Sequence, residues 1–158
     1  MVVVVYESQG GSSKRYAEML AERIDCICIP RTELKDDSDE GILYVGWRSG
    51  PFVVGLKDIA CRKNIIAVIC VGLEPYDERS FNTIKMKNGI GNLFYIRGAM
   101  DRSKLTFGQK LLLGIVSIKM LLFNRSPEDK ETRRIMDRGG DLSSPEQLDD
   151  VIEWFSRK

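Results

Sequence analysis

Residues 2–6 (VVVVY) are apolar without alternation, the pattern of a strand buried on both faces. Polarity then switches at once. Ser8-Gln9-Gly10-Gly11-Ser12-Ser13 holds no apolar side chain, and Ala17, Leu20, Ala21 and Ile24 follow at helical spacing with charges opposite. The same switch recurs along the chain. Residues 26–29 read as a second strand, 42–46 as a third, 65–72 as a fourth and 92–97 as a fifth. The fourth is the most hydrophobic and is expected at the sheet centre. Between these runs, Trp47-Arg48-Ser49-Gly50-Pro51 is expected to be a loop leading into a helix with Leu56 and Ile59. Leu73-Glu74-Pro75-Tyr76 is a second loop, and Asp77 caps a helix that stops at Asn88-Gly89. The last helix is signalled by Ser144 as N-cap, Pro145 at its first position and Gln147 closing a capping box. Its apolar stripe is Leu148, Val151, Ile152 and Phe155.

One stretch does not fit this alternation. Residues 99–142 separate the fifth strand from the last helix. The stretch begins with a strongly apolar helix (LTFGQKLLLGIVSIKMLLF). A charge-dense part follows, in which Ser126-Pro127 opens a helix and Gly139-Gly140 ends it. The remainder is α/β: a three-layer α/β/α sandwich on a five-stranded parallel sheet, one domain over 1–158 with a helical insertion at about 99–142. Ligands in such sheets bind at the carboxyl ends of the strands. Those ends are 8–13, 47–51 and 73–76, with Arg97-Gly98-Ala99 beside them.

Composition narrows the chemistry. The 158 residues carry a net charge of +1, so nothing pulls the chain toward nucleic acid. No histidine is present, which excludes Ser-His and Cys-His nucleophile systems and leaves a cofactor to carry any catalysis. The four cysteines (Cys26, Cys28, Cys61, Cys70) form no CxxC and read as free thiols of a reducing cytosol. The Cys26-x-Cys28 spacing is read as placing that pair on opposite sides of a strand. The N-terminus lacks a basic region and a cleavage site, which points to a cytoplasmic protein.

The loop 8–13 sets hydroxyls and backbone N–H groups at a helix start, an anion site in waiting. It has no GxGxxG, no GxxxxGK[ST], no Cys-Arg phosphatase pair and no acid cluster for a receiver domain. What is left suits a dianionic monophosphate. These residues resemble the FMN phosphate loop of flavodoxins, (S/T)-x-(T/S)-G-x-(T/S). Ser8 and Ser13 match the outer hydroxyls and Gly11 the glycine. Gly10 lacks the middle hydroxyl, and Ser12 stands where asparagine is frequent. The resemblance implies a flavodoxin-like strand order, 2-1-3-4-5, and FMN as cofactor. The region FYIRGAMDRSKLTFGQKLLLGIVSIKM…DKETRR is similar to menaquinone-dependent protoporphyrinogen oxidases, and VGLEPYD and YIRGAMD to flavodoxin-domain proteins of anaerobic bacteria. The middle loop, GWRSGPF, departs from the oxidase pattern.

The expected FMN site is therefore Ser8, Gln9, Gly10, Gly11, Ser12 and Ser13 for the phosphate. Trp47, Arg48, Ser49, Gly50, Leu73, Glu74, Pro75 and Tyr76 would surround the ring. Trp47 and Tyr76 are candidate aromatic walls, with rim or turn roles as the plain alternatives. Arg48 is a candidate cation near the flavin or a substrate carboxylate, and Arg97 a candidate substrate contact; ordinary surface arginines are the alternative. Residues 105–123 call for an apolar partner, whether a second protomer, another protein or a peripheral membrane contact at the inner face that gives access to a quinone; a helix packed on the domain is the plain alternative. The resemblance implies an FMN-dependent oxidoreductase acting on a quinone or porphyrinogen-like substrate. The alternatives are a flavodoxin-type electron carrier that serves a protein redox partner, or a flavin-free interaction module.

Overall fold

A computed structural model of the chain describes residues 1–35, 39–59, 64–123 and 126–158. Strand β1 (Val2–Glu7) leads into α1 (Ser12–Arg23) and β2 (Ile27–Pro30), then β3 (Gly41–Ser49), β4 (Phe52–Val53) and the short α2 (Leu56–Ile59). Next come β5 (Ile65–Gly72), α3 (Glu78–Asn88) and β6 (Leu93–Arg97). The segment that follows holds β7 (Ala99–Met100), α4 (Phe107–Phe123), α5 (Pro127–Arg138) and β8 (Gly140–Asp141), and the chain closes with α6 (Asp149–Ser156).

The main sheet runs β2-β1-β3-β5-β6, all parallel, with β4 hairpinned onto β3. Counting the five parallel strands alone, this is the flavodoxin-like order 2-1-3-4-5. The middle strand is β3, not the more hydrophobic β5, which lies one place further along. Both are interior strands, so both must be apolar on each face, and hydrophobicity alone does not rank them. One face packs Val4, Leu43 and Ile69 against Tyr16, Ala17 and Leu20 of α1 and Val151 of α6. The other packs Val3, Tyr44 and Val68 against Leu56, Ile59 and Ile84 of α2 and α3. Three layers result, as the alternating pattern requires.

Two local expectations fail. Cys26 and Cys28 both pack against the α1 side of the core. Side chains two residues apart on a strand share a face, so the expectation of opposite sides misapplied the strand period. Burial holds the Cys28 thiol up at about 11 and the Cys70 thiol at about 12. Cys61 lies outside the described residues. The other failure is at the last helix: Ser144 and Pro145 do stand at N-cap and first position, but of a 3-10 turn (Pro145–Leu148) that precedes α6, and the Ser144 hydroxyl donates to the Glu146 carboxylate without capping the backbone. Gln147 instead joins a buried knot. Its Oε1 accepts from Arg97 N at 2.6 Å, and its Nε2 donates to the Tyr16 hydroxyl at 2.9 Å and to Leu142 O at 3.0 Å. Tyr16 itself donates to Arg97 O at 2.7 Å and accepts from Ser144 N at 3.0 Å. This knot ties the chain back to β6 and α1 after the long excursion.

Candidate functional site

The parallel strands end at one edge, with Glu7 beside Gly46, Trp47 beside Val71 and Gly72 beside Arg97. At the end of β1, Gly11 takes a φ of 96°, a left-handed conformation that glycine adopts without strain. Ser8 Oγ accepts from Gly11 N at 3.1 Å and so closes the loop on itself. Helix α1 begins behind Gly11 with no side-chain cap and no acid in its first turn. The contrast with two other helices is direct. Asp77 accepts from Ser80 N at the start of α3, and Ser126 with Asp129 forms a full capping box on α5. The sequence marks the Asp77 cap and the Ser126-Pro127 helix start; the Asp129 half of the box is seen only in the structure.

The walls of loop 8–13 come from the segment after β6. Gly98 passes so close to α1 that a Cβ there would lie 2.4 Å from Val71 Cγ1 and 2.9 Å from Ser12 Oγ. Ser12 Oγ lies 3.5 Å from Ala99 O. The side-chain amides of Gln9 and Gln109 pair reciprocally at 2.8 and 3.0 Å. Lys104 Nζ sits 3.5 Å from Gly10 O and 4.0 Å from an Asp101 carboxylate oxygen. Sequence reasoning has Ala99 at this edge but missed Lys104 and Gln109 as neighbours of the loop. No local signal marks them, because only the fold of 99–142 brings them there.

The middle loop is not a loop through its first half. Trp47, Arg48 and Ser49 extend β3, and Gly50-Pro51 turns the chain into β4. Arg48 pairs with Val53 across this hairpin, and its Nε donates to Gly50 O at 2.8 Å. Its guanidinium also binds the Glu74 carboxylate, which ties the hairpin to loop 73–76. Tyr95 OH donates to Glu74 O at 2.9 Å. Burial pushes the Tyr95 phenol up to about 12, so it stays a donor. Tyr76 stands 61% exposed with its ring 5.5 Å from Phe81 and 6.5 Å from Tyr95. Trp47 is half-buried on the same face as Val45. Arg97 turns away to the inserted segment: it donates to Leu73 O at 3.0 Å and to Thr132 Oγ1 at 3.0 Å, and lies 3.6 Å from Glu131. Glu7 is taken up by Arg31 Nε at 2.6 Å.

The predicted residues thus share one sheet edge but fall into two bonded groups. Arg48, Gly50, Glu74 and Tyr95 form one. Loop 8–13 forms the other, and among the described residues its long-range hydrogen bonds run to Ala99, Lys104 and Gln109. Beside it lies an open depression of about 490 Å³, lined by Gly10, Ala99, Arg102, Arg138 and Asp141 among others. Among the described residues no cluster of His, Cys, Asp and Glu could hold a metal ion.

No family model matches the sequence, and no curated protein matches it significantly. A solved structure described as a flavodoxin from the domain Archaea is similar over 86% of this chain and 93% of its own, at 14% identity and a TM-score of 0.42. The fold is stated by the strand order, not by this distant likeness.

Proposed function

We propose that the chain binds FMN at this sheet edge and transfers electrons or hydride through it. The observation that carries the reading is the start of α1. A left-handed glycine, a first turn without a capping side chain or an acid, and the Ser8 hydroxyl supply donors without a competing carboxylate, with Ser12 and Ser13 buried just behind them at 8% and 1% exposure. That donor set fits a monophosphate dianion. Ser8, Gly10, Gly11, Ser12 and Ser13 would hold the phosphate, and Trp47 and Tyr76 would flank the ring. The Arg48–Glu74 ion pair would fix the spacing between the two walls. When bound, FMN supplies one- and two-electron chemistry that no side chain here can perform. The protein's part is to bind, orient and shield.

An apolar redox substrate, quinone or porphyrinogen-like, suits this chain better than service as a soluble shuttle. Its net charge of +1 gives little long-range steering toward a protein partner. The test is the absorption spectrum of the purified protein before and after incubation with FMN, followed by turnover with a quinone acceptor. A flavin spectrum with turnover supports the reading. A flavin spectrum without turnover leaves an electron carrier. Protein that stays colourless after FMN incubation overturns it in favour of an interaction module.

A further inference from the structure

The largest unsatisfied feature of the molecule is α4. One side of it packs on α5 and buries Ser117 and Met120. The other side is apolar and open. Phe107, Leu111, Ile115, Ile118, Leu121 and Leu122 are all exposed, from 49% at Ile115 to 84% at Phe107. A contiguous apolar surface of this kind marks an interaction site. At 3.6 residues per turn, Lys110 and Lys119 project about 180° apart, those six side chains fall in the arc between them, and the exposed Leu112 and Phe123 carry the apolar surface just past Lys119. Both lysines are exposed. A wide apolar face with a long cationic side chain at one edge and another near the other suits a helix that lies in a lipid interface.

The charge selects the occupant. Helix α4 carries Lys110 and Lys119 and no acid, in a chain whose net charge is only +1; Lys104, ahead of it, already lies 4.0 Å from an Asp101 carboxylate oxygen. A second copy is disfavoured, because a symmetric pairing of α4 with itself would bring like cations together with no carboxylate on either helix. An anionic bilayer surface supplies both the apolar solvent and the missing charge. Crossing the bilayer is not open to α4: among the described residues no helix is long and apolar enough to span it. We infer that α4 docks the protein on an anionic membrane surface, lying in its plane with the 107–122 face buried. The inference does not rest on flavin binding. Gln109, which holds Gln9, projects from the opposite side of α4, so docking would leave loop 8–13 behind the helix and facing away from the lipid.

The test is flotation of the full chain with phosphatidylcholine vesicles containing about 30% phosphatidylglycerol, against pure phosphatidylcholine, at low and high salt. Binding to the anionic vesicles is expected to be at least ~10-fold tighter and to weaken with salt. Leu111→Glu with Ile118→Glu should abolish it, and Lys110→Gln with Lys119→Gln should reduce it about 30-fold, at roughly 1 kcal/mol per cation near such a surface. All four positions are exposed, and far-UV circular dichroism checks the fold; should the glutamate pair misfold, the glutamine pair decides. Wild-type protein that ignores anionic vesicles overturns the inference. So does equal binding by wild type and the glutamine pair. A micromolar dimer in light scattering that Ile118→Glu dissolves, without vesicle binding, assigns the face to a second copy instead.

Discussion

Helices α1 and α5 begin in opposite ways. The first turn of α5 is closed by its own sequence: Ser126 accepts from Asp129 N, Asp129 answers back, Pro127 lacks the N–H that would need a partner, and Glu128 adds charge. The first turn of α1 follows a left-handed glycine with no cap and no acid. Both helices run 12 residues, so length does not explain the difference. Position does. The α5 start follows α4 inside the inserted segment, whereas α1 opens directly off β1 at the carboxyl edge of the sheet, where this architecture binds ligands. A helix that caps itself has spent its donors; one that does not has kept them for something else.

The comparison can be broken by giving α1 an acid of its own. Gly10→Asp has room, since its Cβ would meet nothing nearer than Ala99 O at 3.9 Å. It should lower FMN affinity by about 100-fold, roughly 2.7 kcal/mol, through charge repulsion, while leaving thermal stability at or above wild type. Isothermal titration and thermal melts read the two effects separately. Second in size is Tyr16→Phe, which leaves Ser144 N without its acceptor and Arg97 O with the Gln147 amide alone; a loss of about 1–3 kcal/mol in denaturant unfolding is expected, and more than that would mean the knot holds the whole segment in place.

Removing donors instead of adding charge should do less. Ser8→Ala with Ser13→Ala is expected to weaken FMN by about tenfold, since backbone N–H groups remain. Ser126→Ala should cost about 1 kcal/mol of stability and leave FMN affinity unchanged, because that cap serves only its helix. The smallest effect is one of pH. The Ser80 N–H holds the Asp77 carboxyl below the usual carboxylate range. A depressed folded value means its contribution is present above the ordinary aspartate pKa and is lost as pH falls through the folded one. The melting-temperature gap between wild type and Asp77→Ala should therefore be constant near neutrality and narrow below about pH 4. A gap that widens on acidification would contradict this cap.

What was legible in the sequence was local. The uninterrupted apolar run of β1, the polar break after it, and the caps at Asp77 and Ser126 each sit within a few residues of what they control. Two misreadings share a cause. Gln147 looks like part of a capping box, but Tyr16 and Arg97, 131 and 50 residues away, recruit its amide. Trp47 to Ser49 look like loop because a turn follows, yet the Gly50-Pro51 reversal lets β4 pair back and prolong β3. The neighbours of loop 8–13 were the least legible of all. Lys104 and Gln109 lie about a hundred residues from the loop, and a single sequence carries no mark of such pairings.

The claim at the centre is that the open start of α1 is kept for a phosphate. Parallel fluorescence titrations with FMN and with riboflavin, which differ only in that group, test it most directly. The account predicts at least ~100-fold tighter binding of FMN in wild type, and an advantage that collapses in Gly10→Asp. Equal affinity for the two flavins, or binding of neither, would contradict it.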